Sequence, residues 1–286
     1  MKLLHVMDRV RKPRRFVRGL AWEFRSARRH ASDRRSLVRL SSDIVLFRVL
    51  FFIPALGRRG RSRRVRLDGA SITYRLNRGD IQGIREVWYE QAYRIPFGPI
   101  PRTVLDLGAN IGLTTVWLAR RYGCELIVGV EPDPANVVLA RRNVADNGVP
   151  GVIIEAAVAP RNGVAPFGTS THSNLGSLIT FEGTTLEVIT RDPQSILREA
   201  GLESVDLCKL DIEGGEGPLF LEGDDAWLGA VRSVIGELHA SVIDAQAVTA
   251  ALEARGLRHY PAGIDGRKLE FFIATEDASG SARRSS

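Results

Sequence analysis

Val104-Leu105-Asp106-Leu107-Gly108-Ala109-Asn110-Ile111-Gly112, followed at a distance by Val128-Gly129-Val130-Glu131-Pro132, is the stretch that decides the fold. A short apolar run ends in an acid and a glycine-bearing turn. A helical pattern over Leu113 to Tyr122 follows, and a second apolar run ends in Glu131. The reading is strand, tight loop, helix, strand. Gly108 and Gly112 let the backbone approach a ligand where any Cβ would intrude. The helix start after Gly112 offers free N–H donors to a polar or anionic group. Glu131 lies 19 residues beyond Gly112, where nucleotide folds place a carboxylate on ribose hydroxyls.

The dinucleotide fingerprint G-x-G-x-x-G is incomplete. Asn110 occupies the place of its second glycine, and Thr114 and Thr115 surround the place of the third. Close approach to a pyrophosphate therefore lacks support, which argues against NAD or FAD. Asp106 followed by G-A-N-x-G instead resembles the S-adenosylmethionine (SAM) loop of class I methyltransferases. SAM carries a cationic sulfonium and no phosphate, so an acid beside the loop is electrostatically sensible. The competing reading is a glycine turn that only packs a strand against a helix.

The chain's 286 residues suit one large domain, or one domain with an extension, and its 44% apolar content is ample for a core. Cys124 and Cys208 each lie inside an apolar run, so buried free thiols are expected rather than a disulfide or metal site, as in a reducing cytoplasm. The net charge of +7 is uneven: residues 1–66 hold 20 Lys and Arg against four acids, leaving 20 against 29 in the remainder. The high basicity therefore belongs to an N-terminal extension, taken as residues 1–64, and the body of the protein is mildly acidic.

Phe16, Leu20, Trp22 and Phe24 recur through the arginine-rich segment at roughly helical spacing. The apolar run from Ile44 to Leu56 is too short to span a bilayer and is interrupted by Arg48 and Pro54. No small-residue cleavage site follows it, which argues against a secretory signal. Such an extension suits either an anionic membrane surface, giving a cytoplasmic protein peripheral at the inner membrane, or a solvated helical pair capping the core. Nucleic acid is a weaker candidate, because no aromatic-basic RNA module is visible.

From Val65 the pattern changes. Val65–Leu67 and Ser71–Leu76 read as a hairpin, and Asp80 as the N-cap of a helix to about Tyr93. Asp133-Pro134 starts a helix that Gly148 stops, and Val152 to Val158 is a third strand, whose small Ala157 is the expected adenine contact. A polar insertion with His172, Ser173 and Asn174 precedes a strand over Leu186 to Thr190 and a short helix from Asp192 to Ala200. His172 is a loop candidate for substrate contact. Val205 to Gly214 and Val231 to His239 are the next strands, with a helix from about Ala245 to Arg255 and a closing antiparallel pair, Leu257–Tyr260 with Leu269–Ala274. Residues 276–286 form a frayed polar tail. Strands alternating with helices imply a mostly parallel sheet covered on both faces.

In such sheets ligands bind beyond the carboxyl ends of the strands. Lys209, Asp211 and Glu213 share one face if extension persists, as do Glu237 and His239 on the neighbouring strand. Charges ending a buried strand are costly unless paired or functional. A salt bridge of Lys209 with Glu237 is the structural alternative to a catalytic role.

D-L-G-A-N-I-G at 106–112, V-E-P at 130–132, K-L-D-I-E-G-G-E at 209–216 and G-E-L-H at 236–239 together resemble the FkbM-like SAM-dependent methyltransferases over about residues 65–275. Members typically carry alanine where Gly215 stands. The resemblance implies a Rossmann-like α/β fold with a seven-stranded, mostly parallel sheet, and methyl transfer from SAM to a hydroxyl of a natural product, sugar or glycolipid. It implies that Asp106, Gly108, Ala109, Asn110 and Gly112 hold the methionine part, Glu131 the ribose, and that Asp211 borders the methyl group. His239 is the expected base, its ordinary pKa being about 6.5, with Asp211 or Glu213 orienting it or acting instead. Asp211, Glu213 and Glu237 are the candidate ligands should Mg²⁺ take part. Two rival functions stand beside this one: an RNA methyltransferase gripping phosphates with its arm, and a non-catalytic SAM-fold scaffold docked to a membrane.

Overall fold

The computed structural model describes residues 19–52, 62–169, 184–261 and 269–275. Phe16, His172, Ser173, Asn174 and the C-terminal tail, for which the sequence raises expectations, lie outside those residues.

Short apolar runs build a seven-stranded sheet. Its strands are β3 (Thr103–Leu107), β4 (Leu126–Glu131), β5 (Gly151–Glu155), β9 (Leu207–Leu210), β10 (Ser233–Glu237), β11 (Leu257–Pro261) and β12 (Leu269–Ala274). They lie in the order β11-β12-β10-β9-β3-β4-β5. The five strands from β10 to β5 are parallel to their neighbours, and β12 runs antiparallel to β10 and β11. Alternation along β3 divides the core between the two faces. Val104 joins Ile127, Ile153 and Ile235 on one, whereas Leu105 and Leu107 join Val128, Cys208 and Phe272 on the other.

The helices between strands start where the sequence supplies caps. Asp133 accepts from the backbone of Ala135 and Asn136 at the head of α5 (Pro134–Asp146). Asp192 and Asp244 do the same for α6 (Pro193–Glu199) and α8 (Ala245–Ala254). α4 (Leu113–Tyr122) ends at Gly123 in the left-handed conformation.

The third strand does not run through to Val158. It breaks at Ala156, whose amide donates to Glu131 O, and the chain leaves the sheet as β6 (Ala157–Val158). β6, β7 (Gly163–Thr169) and β8 (Thr184–Arg191) form a separate three-stranded sheet. β7 escapes sequence reading because Pro166 and two glycines erase a strand pattern, which an edge strand tolerates.

The hairpin β1 (Ser62–Leu67) and β2 (Ala70–Arg75) forms its own sheet, and the expected boundary at residue 64 falls inside it. Helix α1 (residues 19–30) and α2 (Arg34–Phe52) pack on it, so Ala27, Leu40 and Ile44 share one core with Leu67, Ile72 and Tyr74. His30 O accepts from the amide of Asp68, and Ser32 N donates to Arg66 O. Tyr74 and Arg63 both bond the buried Asp43 carboxylate of α2. No helix among the described residues is long and apolar enough to cross a membrane.

Asp80 is not a cap. Asn77 caps α3 (Arg78–Ile84) by accepting from Asp80 N, and a π turn over Arg85–Tyr89 ends the helical stretch. Asp80 is fully buried and takes both the backbone amide and the guanidinium of Arg75, which leaves its side chain no role at a helix start. Asp80→Ala strips the half-buried Arg75 of its carboxylate partner and leaves it only Asn136, so urea denaturation is expected to show a loss of about 3 kcal/mol.

Candidate active site

The loop after β3 is held from below by a buried ion pair. Lys209 on β9 meets Asp106 on β3 at 3.2 Å, and its ammonium donates to the carbonyls of Leu107 (3.3 Å) and Gly108 (2.6 Å). Asp106, 0% exposed, also accepts from Thr115 on α4 at 2.6 Å. Burial alone would lower the Lys209 ammonium, but Asp106 and Asp211 hold it above its ordinary value. The expected partner of Lys209, Glu237, is displaced by an acid on the other neighbouring strand. Asp106 itself faces α4 rather than open space, so its part is to anchor the loop.

Gly108 has a φ of +82°, and a Cβ there would come within 1.9 Å of Asp211 O. Its missing side chain thus serves the approach of β3 to β9 before that of any ligand. Gly112 in the same way lies against Ala140 of α5. Asn110, at φ +50°, donates its amide to Glu131 Oε2 at 2.9 Å, so the turn and the end of β4 meet as the sequence spacing requires. Asp133 N and Asn136 Nδ2 each donate to Glu131 Oε1 at 3.0 Å. The carboxylate is 6% exposed, and burial pushes it up to about 7 against these donors. The side-chain oxygen of Asn110, Oδ1, is buried without a hydrogen-bond partner among the described residues. Ala157, 2% exposed, packs with Phe167 and Val188 of the second sheet.

Extension does not persist beyond β9. Leu210 is its last residue, and Glu213 (φ +53°) and Gly214 (φ +96°) take left-handed conformations. The chain folds over itself and carries Glu213 back toward His239, which follows β10. His239 Nε2 lies 3.3 Å from Glu213 Oε2 and 3.8 Å from Asp211 Oδ1. Its Nδ1 lies 3.0 Å from Glu216 Oε1, an oxygen that also accepts from Ile212 N at 3.1 Å. Tyr93 donates to Asp211 Oδ2 at 2.6 Å. Glu216, at the start of α7 (Glu216–Leu221), is 0% exposed.

Two expectations are corrected here. Asp211 and Glu213 gather with His239, their ligand atoms all within 4.8 Å of one another, and Glu237 does not belong to the group. An all-oxygen Mg²⁺ set of Asp211, Glu213 and Glu237 is therefore not assembled. His239 is also not near-neutral. Burial would lower it, but the Glu213 and Glu216 carboxylates outweigh burial and raise it to about 11, so at neutral pH it is an imidazolium. Burial likewise raises Glu213, opposed by His239. Sequence reasoning gave no role to Tyr93, which lies 118 residues from Asp211 and carries no pattern. Glu216 was visible only as the last letter of K-L-D-I-E-G-G-E.

The strand order, with an antiparallel strand inserted beside β10 and an acid-lined turn at the carboxyl end of β3, is that of a Rossmann-like class I methyltransferase. The methyltransferase FkbM domain matches residues 106–258, and the chain belongs to that family. "Methyltransferase 1" of Beauveria bassiana (strain ARSEF 2860) is 25% identical over 195 residues, covering 60% of this chain and 78% of that protein. "Methyltransferase sdnD" of Sordaria araneosa is 26% identical over 187 residues, covering 54% and 72%. A solved FkbM methyltransferase from Methylobacillus flagellatus KT gives a TM-score of 0.44 at 15% identity and covers 88% of this chain, which spans 58% of that protein.

Lys209→Met leaves Asp106 buried without its cation and is expected to cost about 3–5 kcal/mol in urea denaturation. Adding Asp106→Asn removes the orphaned charge and should return more than half of that loss.

Proposed function

We propose that the protein transfers a methyl group from SAM to a hydroxyl of a small natural product, sugar or glycolipid. The observation that carries this reading is the juxtaposition of two polar centres at the carboxyl edge of the sheet. One is the Asn110–Glu131 pair, and the other is the Asp211–Glu213–His239 cluster, joined to it through the contact of Gly108 with Asp211 O.

The first centre fits SAM. The unpartnered Asn110 Oδ1 is an acceptor suited to an ammonium, and Glu131 is an acceptor suited to ribose hydroxyls. SAM, when bound, supplies an electrophilic methyl group and a neutral sulfur leaving group. The chain's own task is to align the acceptor oxygen and take its proton. With His239 already protonated, Asp211 and Glu213 are the groups able to receive that proton. His239 then acts as the fixed positive charge that holds the two carboxylates together and turns them toward one point. The base assignment thus passes from the imidazole to its carboxylate neighbours. Family membership supports methyl transfer as such, while the oxygen acceptor rests on the cluster's suitability for deprotonating a hydroxyl.

Ribose hydroxyls donate, so they bind the ionised form of Glu131 better. SAM affinity, followed by calorimetry, is expected to rise as pH climbs through about 7. Glu131→Gln should flatten that dependence and weaken binding by about 1.5–3 kcal/mol, on the order of ten- to a hundredfold. The sign for folding is opposite. The folded apo protein holds this proton more tightly than the unfolded chain, so the contribution of Glu131 to stability falls between pH 4.5 and about 7.

His239→Asn removes the organising charge without touching the Asn110–Glu131 pair. Turnover should fall by at least about a hundredfold while SAM affinity stays within about twofold. A variant with full activity would remove His239 from the reaction.

A further inference from the structure

Three carboxylates, those of Asp211, Glu213 and Glu216, surround the one imidazole of His239 in a half-buried cleft. Lys209, the other cation beside the cluster among the described residues, is committed to Asp106 and to the carbonyls of Leu107 and Gly108. Glu216 adds a second, independent observation: its Oε2 is buried with no hydrogen-bond partner among the described residues.

The geometry is ordered beyond what charge alone requires. His239 Nδ1 is held by Glu216 Oε1 at 3.0 Å, which turns Nε2 toward Asp211 and Glu213. A carboxylate behind one imidazole nitrogen is how a metal-binding histidine is oriented through the other. Tyr93 fixes Asp211 in the same manner, bonding Oδ2 at 2.6 Å and leaving Oδ1 to face the imidazole. The separations of Nε2 from Glu213 Oε2 and Asp211 Oδ1 are 3.3 and 3.8 Å. Donors bound about 2.1 Å from one ion stand roughly 3.0–3.5 Å apart, from right-angled to tetrahedral arrangements; the Glu213 oxygen already stands at such a separation, and Asp211 Oδ1 would have to draw in by a few tenths of an ångström.

From this we infer that Asp211, Glu213 and His239 form a binding site for one divalent transition-metal ion, of the Mn²⁺ or Zn²⁺ class, oriented from behind by Tyr93 and Glu216. One nitrogen and two carboxylates suit such ions better than Mg²⁺, which favours oxygen and retained water. Three protein ligands leave coordination positions open. Its use in catalysis rests on the methyl-transfer reading: the ion would displace the His239 Nε2 proton to solvent and, in that form of the protein, would acidify an acceptor hydroxyl at an open position, whose proton would leave to water. Binding of the ion does not depend on that reading.

Full-length protein, treated with chelator and desalted without SAM, is titrated with MnCl₂ while free Mn²⁺ is followed by electron paramagnetic resonance. One ion per chain is expected, and the bound ion should show nitrogen hyperfine coupling from His239. His239→Asn and Glu213→Gln should each weaken binding at least tenfold and, for the former, abolish the nitrogen signal. Glu222→Gln, on an exposed turn, serves as the surface control and should change nothing. Absence of stoichiometric uptake overturns the site, as does a bound ion without nitrogen coupling in the unmodified protein, which needs no variant to fold. Displacement of Mn²⁺ by an equal concentration of Mg²⁺ overturns the assigned metal class. Calorimetry with SAM on the same apo protein reports separately on the methyl-transfer reading, so the two failures are distinguishable.

Discussion

A lysine buried between two strands sets the geometry of everything at the carboxyl edge of this sheet. Lys209 is drawn into the interior because Asp106 stands beside it on β3 and because two loop carbonyls point at its ammonium. Taking such a pair out of water costs several kcal/mol per ion, and the cost is recovered only with close geometry and additional hydrogen bonds. Here both are present. The result is positional: the end of β3, the start of the loop and the end of β9 are fixed relative to one another. Asp211 leaves β9 two residues beyond that lysine, so the same contact determines where the Asp211–Glu213–His239 cluster begins.

The glycine at 108 belongs to the same constraint. Its φ of +82°, and the 1.9 Å that would separate an added Cβ from Asp211 O, admit no side chain. A residue whose pattern suggests ligand binding is thus required first by the packing of two strands, and ligand access follows from that packing. Glu131 shows the converse. Its three donors tie the loop to β4 and α5, yet burial leaves its carboxylate poised near 7. The structural role leaves room for the proposed binding role, because a carboxylate offers more acceptor positions than the staple consumes.

The parallel strands and the helices between them were legible because their signals are local: apolar runs of four to six residues, Asp133, Asp192 and Asp244 as caps, Gly123 as a stop. The meeting of Asn110 with Glu131 followed from spacing. What resisted reading depends on contacts distant in sequence. Asp80 has the chemistry of an N-cap but is claimed by Arg75, and Asn77 caps instead. Lys209 chose Asp106 over Glu237, a decision made by which strand lies on which side of β9. Tyr93 reaches Asp211 across 118 residues. The left-handed turn at Glu213 converts an alternating strand pattern into a convergent cluster, and only Gly214 beside it hints at the bend.

The two acidic centres differ in what opposes burial. Around Glu131 the opposition comes from neutral donors, two backbone amides and the Asn136 side chain. Neutral donors cannot cancel desolvation completely, so the group stays close to its transition and responds to a polar ligand that excludes water. Around Glu213 the opposition comes from a full positive charge on His239, itself secured by Glu216 from behind. A full opposing charge lets carboxylates be buried while they stay ionised, as the proposed roles of proton acceptor or ligand require. The cation in that balance is exchangeable in principle, proton for metal ion, because the ring is already aimed by Glu216 and Asp211 is already aimed by Tyr93. The contact between Gly108 and Asp211 then couples the centre that would hold the donor to the centre that would activate the acceptor, with one backbone carbonyl between them.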